Sequence, residues 1–298
     1  MAKQDTVSTL FRQITSVTDE SFSTSRTLEY HLHLSIHKTT FLFSVVDPGR
    51  NKVIALSEYD LGRLYSSLQT AEQIKLLFEE HAWLAKNQWG QIRCEFHQWP
   101  YTLLPVSLFE PSAIASYFRL AGSFDEDHET LLSYTHRSLD LVVIFSASNY
   151  LVKTVKSLQS AKPAEFVHGA SAFIEGLLHS QPRTANLLPY ILIESQHATI
   201  TLLRDGAVLY CNTFYFTTPE DFIYYVILVL QEHQLNPETD PLLVWGELTP
   251  DSGLFSILQK YVRNVALGKR PSSLNYSYRI EDLFAHRYFD LYSLSLCN

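Results

Sequence analysis

Residues 188–233 set three extended segments and one apolar helix in direct succession, with turn chemistry at every junction. Residues 190–194 and 198–203 are apolar runs of strand length, separated by Ser195, Gln196 and His197. Arg204-Asp205-Gly206 reads as a hairpin turn, because an Asp-Gly pair accepts the positive φ that a tight reversal demands. A third strand over 208–216 leads to Thr218, a helix cap with Pro219 at the first helical position and Asp221 at the third. The helix is apolar nearly all round over 222–230, so it is expected to be covered on more than one face.

The same order occurs once before. Leu28, Tyr30, Leu32, Leu34 and Ile36 alternate with Glu29, His31, His33, Ser35 and His37, the pattern of a half-buried strand. An apolar run over 41–46, the turn Asp47-Pro48-Gly49-Arg50-Asn51 and a strand over 52–57 follow. Leu61, Leu64, Tyr65 and Leu68 recur at helical spacing, and Thr70 with Gln73 resembles a capping box opening a second helical stretch to about residue 84. Each half is thus a βββα unit. After the first come strands over 91–98 and 102–106, a helix over 110–121 stopped at Gly122, and an acidic loop over 125–129. A buried apolar strand over 139–145, a helix over 149–158, a strand over 165–168 and a helix over 172–178 complete that half. After the second come a strand over 241–245 and a helix over 254–262, with 280–297 ambiguous between helix and strand. Val7, Leu10, Phe11 and Ile14 share the spacing of a short amphipathic helix.

A length of 298 residues suits two domains, set here at 26–180 and 181–298 after an extension over 1–25. The net charge of -8 opposes phosphate backbones and anionic membrane surfaces, so neither nucleic acid nor membrane insertion is expected. The longest apolar run, 222–230, is far below the roughly 20 residues that cross a bilayer, and no signal-peptide core stands at the start, which points to the cytoplasm. Cys94, Cys211 and Cys297 show no metal or disulfide spacing and read as buried thiols.

A duplicated βββα unit with further α and β elements after each copy resembles the ribonuclease-H-like halves of the actin, sugar-kinase and heat-shock chaperone superfamily. Within it, the strands, RDG hairpin and apolar helix of 188–233 are similar to the actin-like components of pilus-assembly and secretion machinery. TLLPVSLF at 102–109 and LSIHKTTFLFSVVD at 34–47 resemble an uncharacterised bacterial family with an actin-like ATPase fold. The resemblance implies an α/β protein of two ribonuclease-H-like domains, each a mixed five-stranded sheet flanked by helices. It also implies a nucleotide cleft whose first turn in each half is usually Asp-x-Gly. There glycine lets backbone N–H groups approach phosphate and aspartate positions a metal ion or water. At those places this chain has Ser35-Ile36-His37-Lys38-Thr39 and Glu194-Ser195-Gln196-His197-Ala198, with no glycine and one carboxylate. The adenosine turn, normally with paired glycines, is matched by Trp245-Gly246-Glu247.

Substitute groups for a nucleotide are Lys38, Thr39, Glu194, Ser195, Thr199 and Gly246. Lys38 and Thr39 suit a phosphate as donors, although a solvated hairpin turn is the simpler account of them. Glu194 suits a metal-bound water, although with no partner motif an exposed strand terminus is the simpler account. His31, His33 and His37 share a strand face on which alternate residues stand about 7 Å apart, and polar patterning explains them without metal. The nucleophile elbow and the glycine-rich phosphate loops are absent, so no catalytic residue and no metal site is assigned. The expectation is a non-catalytic bacterial scaffold or partner-binding protein with a degenerate nucleotide site and a protein partner. The alternative is an ATP-binding protein or weak ATPase using ATP and Mg in a non-standard cleft.

Overall fold

The computed structural model describes residues 11–297 apart from 63, 65 and 85–87. β1 (Arg12–Thr18), β2 (His31–Ile36), β3 (Thr40–Asp47) and β4 (Lys52–Asp60) precede α1 (Ser67–Glu80). Then come β5 (Gln91–Phe96), β6 (Tyr101–Leu104), α2 (Ile114–Ala121), β7 (Glu129–His136) and β8 (Leu141–Ser148), with α3 (Asn149–Lys156), β9 (Glu165–His168) and α4 (Gly169–Ser180) after them. β10 (Leu188–Glu194), β11 (His197–Arg204), β12 (Ala207–Tyr215), α5 (Pro219–Glu232), β13 (Pro241–Gly246), α6 (Gly253–Tyr261) and β14 (Asn264–Leu267) restate the plan. β15 (Asn275–Tyr276), α7 (Tyr278–Glu281) and α8 (Phe289–Ser293) follow. Two compact units result: Met1–Ala172 with Leu274–Asp282 and Leu294–Asn298, and Phe173–Ser273 with Leu283–Ser293.

The sheet of the first unit contains the order β4-β3-β2-β5-β9, antiparallel from β4 to β2 and parallel from β2 through β5 to β9. The sheet of the second has the order β12-β11-β10-β13-β14 with the same senses at the same places. Strand order and sense therefore repeat, as expected of a duplicated βββα unit. The first sheet is wider than five strands. β1 pairs antiparallel with β4, β15 adds to the same strand, and β6-β8-β7 forms a separate three-stranded sheet. The open backbone groups of β4 thus draw Arg12–Thr18 into a strand, so Phe11 and Ile14 do not belong to a helix; Val7 and Leu10 lie outside the described residues.

In the first unit Leu32, Leu34 and Ile36 of β2 pack under Ile74, Leu77 and Phe78 of α1 and Leu151, Val152 and Val155 of α3. The spacing of Ala71, Ile74, Leu77 and Phe78 is the helical stripe that makes this possible. The cap of α1 is Ser66, whose hydroxyl accepts from Gln69 N at 3.3 Å; Thr70 lies inside the first turn and opens no second helix. β2 is not half-buried as its alternation suggests. His33, Ser35 and His37 are buried as fully as the apolar face, because the opposite side of the sheet is covered too. At Arg93 of β5 that cover is the C-terminal segment: Nη1 donates to Leu294 O at 2.9 Å while Nε pairs with Glu165 at 2.7 Å.

In the second unit Ile191, Ile193, Ile200 and Leu202 pack against Phe222, Val226, Val229 and Leu230 of α5 and Phe255 and Leu258 of α6. Tyr190, Leu192 and Trp245 meet Phe173, Leu177 and Phe289 on the other face. The capping box at Thr218 and Asp221 is present in both directions. Cover of α5 on all sides is not: Tyr224 is 62% exposed, since only the stripe toward the sheet and α6 is packed. Cys94, Cys211 and Cys297 are buried free thiols.

Candidate functional site

Parallel strands leave their carboxyl ends together, and in sheets of this type that edge is where ligand-binding turns collect. In the first unit the edge holds the β2–β3 turn and the residues after β5 and β9. His37 N–H donates to Thr40 O at 3.0 Å to close the turn, and Lys38 N–H donates to Gln98 Oε1 at 3.1 Å. Gln98 follows β5 with its backbone in the left-handed region at φ 66°, which turns its carboxamide toward the hairpin. Thr39 O accepts from Leu61 N–H at 2.8 Å. Lys38 borders a cavity of about 360 Å3 together with Ser66, Ser67, Thr70, Gln98 and Glu129; Thr39 does not.

Beneath that turn lies a buried polar cluster which alternation on β2 alone did not reveal. Ser35 Oγ and His37 Nε2 are 2.9 Å apart, and the His37 ring stacks on His97 with centroids 4.3 Å apart and planes 6° from parallel. His97 Nε2 is 3.2 Å from Glu95 Oε1. Gly169 is required beside it, for a Cβ there would stand 2.0 Å from His97 Cε1. His168 Nδ1 accepts from Ala170 N–H at 3.1 Å, so its Nε2 carries the proton and donates to Trp99 O at 3.1 Å. Burial, aided by the charge of His97, pushes the His168 pKa down to about 3, and the ring is neutral. The signal available in sequence was the second alternation, Arg93, Glu95, His97, whose register sets Arg93 beside His33 and Glu95 beside Ser35.

In the second unit Glu194, Ser195 and Gly246 come together at the ends of β10 and β13. Glu194 is the buried last residue of β10, and Ser195 turns the chain at φ 53°. Ser195 N–H donates to Glu247 Oε2 at 3.0 Å, and Glu247 N–H donates to Ile193 O at 2.7 Å. Gly246 has φ 101°, and a Cβ there would lie 1.9 Å from Ile193 O, so only glycine fits between the strands. Its N–H donates to His286 O at 3.0 Å. Thr199 stands apart from the turn: it pairs with Leu192, and its hydroxyl is 2.8 Å from that of Thr213 across the β11–β12 ladder.

The structure agrees with solved structures in fold. It matches a Bacteroides thetaiotaomicron protein with actin-like ATPase fold and unknown function, with TM-score 0.76 and 18% identity over 93% of this chain and 99% of that one. The type IV pilus biogenesis complex PilM–PilN matches with TM-score 0.52 and 13% identity over 89% and 97% of the two chains. Ethanolamine utilization protein EutJ from Carboxydothermus hydrogenoformans matches with TM-score 0.51 and 9% identity over 95% and 93%. The chain has the actin-like ATPase fold. No curated protein matches it in sequence. A family profile described as protein of unknown function (DUF3822) matches residues 19–265.

Proposed function

We propose that this chain, which belongs to the DUF3822 family of proteins of unknown function, is a non-catalytic actin-like scaffold that binds a protein partner and has a degenerate nucleotide site. The observation that carries the reading is that the turn N–H groups which would meet phosphate already have acceptors of the chain's own, Gln98 at Lys38 and Glu247 at Ser195. A phosphate oxygen would have to displace each of them, and at Ser195 it would displace a carboxylate. Without glycine in either turn, the backbone has little freedom to present other N–H groups.

Support for a protein partner comes from α5. Ile223, Tyr224, Ile227 and Leu228 line, with Tyr261 of α6, an open groove of about 310 Å3 that is mostly apolar, with Glu220 and Gln231 also in its wall. One neighbour in fold, PilM, is itself found in a complex with PilN. The charge of -8 speaks against nucleic acid. Among the described residues no helix is long and apolar enough to cross a membrane, and the cytoplasm is the compartment we assign.

The second reading, an ATP-binding protein with a non-standard phosphate cleft, is favoured by Lys38 and the three hydroxyls around the 360 Å3 cavity. Isothermal titration calorimetry with Mg-ATP separates the two. The scaffold reading expects no saturable heat. Saturable binding that Lys38→Ala or Glu194→Ala abolishes would replace it with the second reading.

A further inference from the structure

The two turns are closed by equivalent parts of the fold. In each unit the first residue after the central parallel strand donates its N–H to the end of the first strand: His97 to Ile36 O at 3.1 Å, and Glu247 to Ile193 O at 2.7 Å. A side chain at or next to that residue then caps the N–H two positions further along the hairpin. In the first unit it is the neutral carboxamide of Gln98 on Lys38, and in the second the charged carboxylate of Glu247 on Ser195. Glu247 is thus held at two points, by its backbone on Ile193 and by its side chain on Ser195, and the left-handed Gly246 before it sets that direction.

We infer that the Glu247 carboxylate occupies the anion-accepting position of the β10–β11 turn and so shuts phosphate-bearing ligands out of the second unit, an autoinhibitory contact written into the sequence. This rests on the reading of the nucleotide site as degenerate and names the residue responsible in that unit. A carboxylate and a phosphate oxygen make the same demand on an N–H group, so they compete for Ser195. Their like charges also repel across any position near enough to share the turn. The first unit has only half of this device, because Gln98 takes the N–H without bringing a charge.

The test is calorimetric titration of inorganic pyrophosphate into the full chain and into Glu247→Ala and Glu247→Gln, with hydrogen exchange at the Ser195 amide as a second readout. Wild type is expected to show no saturable binding. Glu247→Gln keeps the acceptor and removes the charge, and is expected to bind saturably, at least about fivefold more tightly than the limit that the wild-type titration sets. Glu247→Ala frees the N–H as well and should gain about tenfold or more, with faster exchange at Ser195 that pyrophosphate slows again. If Glu247→Ala does not fold, Glu247→Gln, of the same shape, decides alone. The inference is overturned if wild type binds pyrophosphate as tightly as the variants, if neither variant gains affinity, or if Ser195 exchange in Glu247→Ala is unchanged. Failure of the variants to gain affinity leaves the scaffold reading intact, whereas Mg-ATP binding by wild type removes that reading whatever Glu247 does.

Discussion

Replacing Gly246 by alanine perturbs the second unit where the backbone leaves least room. The added methyl would stand 1.9 Å from Ile193 O, 2.8 Å from Ile193 C and 2.8 Å from Ile193 N, all main-chain atoms, so no side chain can swing away to admit it. The φ of 101° adds a cost of about 1–2 kcal/mol for a residue with a Cβ. Relief requires β10 and β13 to separate, which lengthens the Glu247 N–H to Ile193 O bond of 2.7 Å and the Gly246 N–H to His286 O bond of 3.0 Å. Each such bond contributes about 0.5–1.5 kcal/mol net. The expected loss is therefore about 2–5 kcal/mol, a large share of the roughly 5–15 kcal/mol that holds a typical domain. The measurement that reads the loss at these two strands is urea-dependent hydrogen exchange on peptides from β10 and β13. A loss below about 0.5 kcal/mol in those peptides would refute the close approach on which the geometry of the Glu247 contact depends.

Other perturbations test separate parts of the account. Thr218→Ala removes one half of the capping box on α5 and should cost about 1 kcal/mol in thermal denaturation. His168 is held neutral with a pKa near 3, below its unfolded value near 6.5, so the unfolded chain binds the extra proton between those values. Stability should therefore fall as pH drops from about 6.5 toward 3, by up to about 1.4 kcal/mol per pH unit, and His168→Gln should flatten that limb of the urea midpoint against pH. Burial tends to raise the Asp19 pKa, but bonds from Ser21 and from Lys52 at 2.9 Å hold it below the usual carboxylate range. Its contribution is accordingly present at neutral pH and lost only as pH falls below that range, and Asp19→Asn should cost about 1–2 kcal/mol at pH 7 in chemical denaturation. Tyr224→Asp, on the open face of α5, should change the urea midpoint by no more than about 0.5 kcal/mol in stability.

Much of the architecture was legible because the two copies explain each other. Asp205-Gly206 and the Thr218 cap mark the second hairpin and helix locally, and the first copy follows by analogy, although the sequence suggests a second helical stretch opened at Thr70 where the structure has one helix capped by Ser66. The misreadings share a cause. Alternation on β2 records polarity rather than exposure: Ser35, His37, Glu95 and His97 are all buried, Ser35 bonding His37, His37 stacking on His97, and Glu95 lying 3.2 Å from His97. Phe11 and Ile14 have helical spacing, but the unpaired edge of β4 decided their conformation from 40 residues away or more. At the candidate site, the missing glycines were visible in the sequence while the contacts that replace a ligand were not. Gln98 lies 60 residues from Lys38, and Glu247 lies 52 from Ser195, so no local pattern joins them.

The most direct test is hydrogen exchange at the Lys38 and Ser195 amides of the wild-type chain, with and without saturating Mg-ATP. Both N–H groups are capped by the chain itself, so exchange at the two turns should be the same in the two conditions. Slower exchange at both turns when Mg-ATP is present would show that phosphate displaces Gln98 and Glu247, and would contradict the account of a closed, degenerate site.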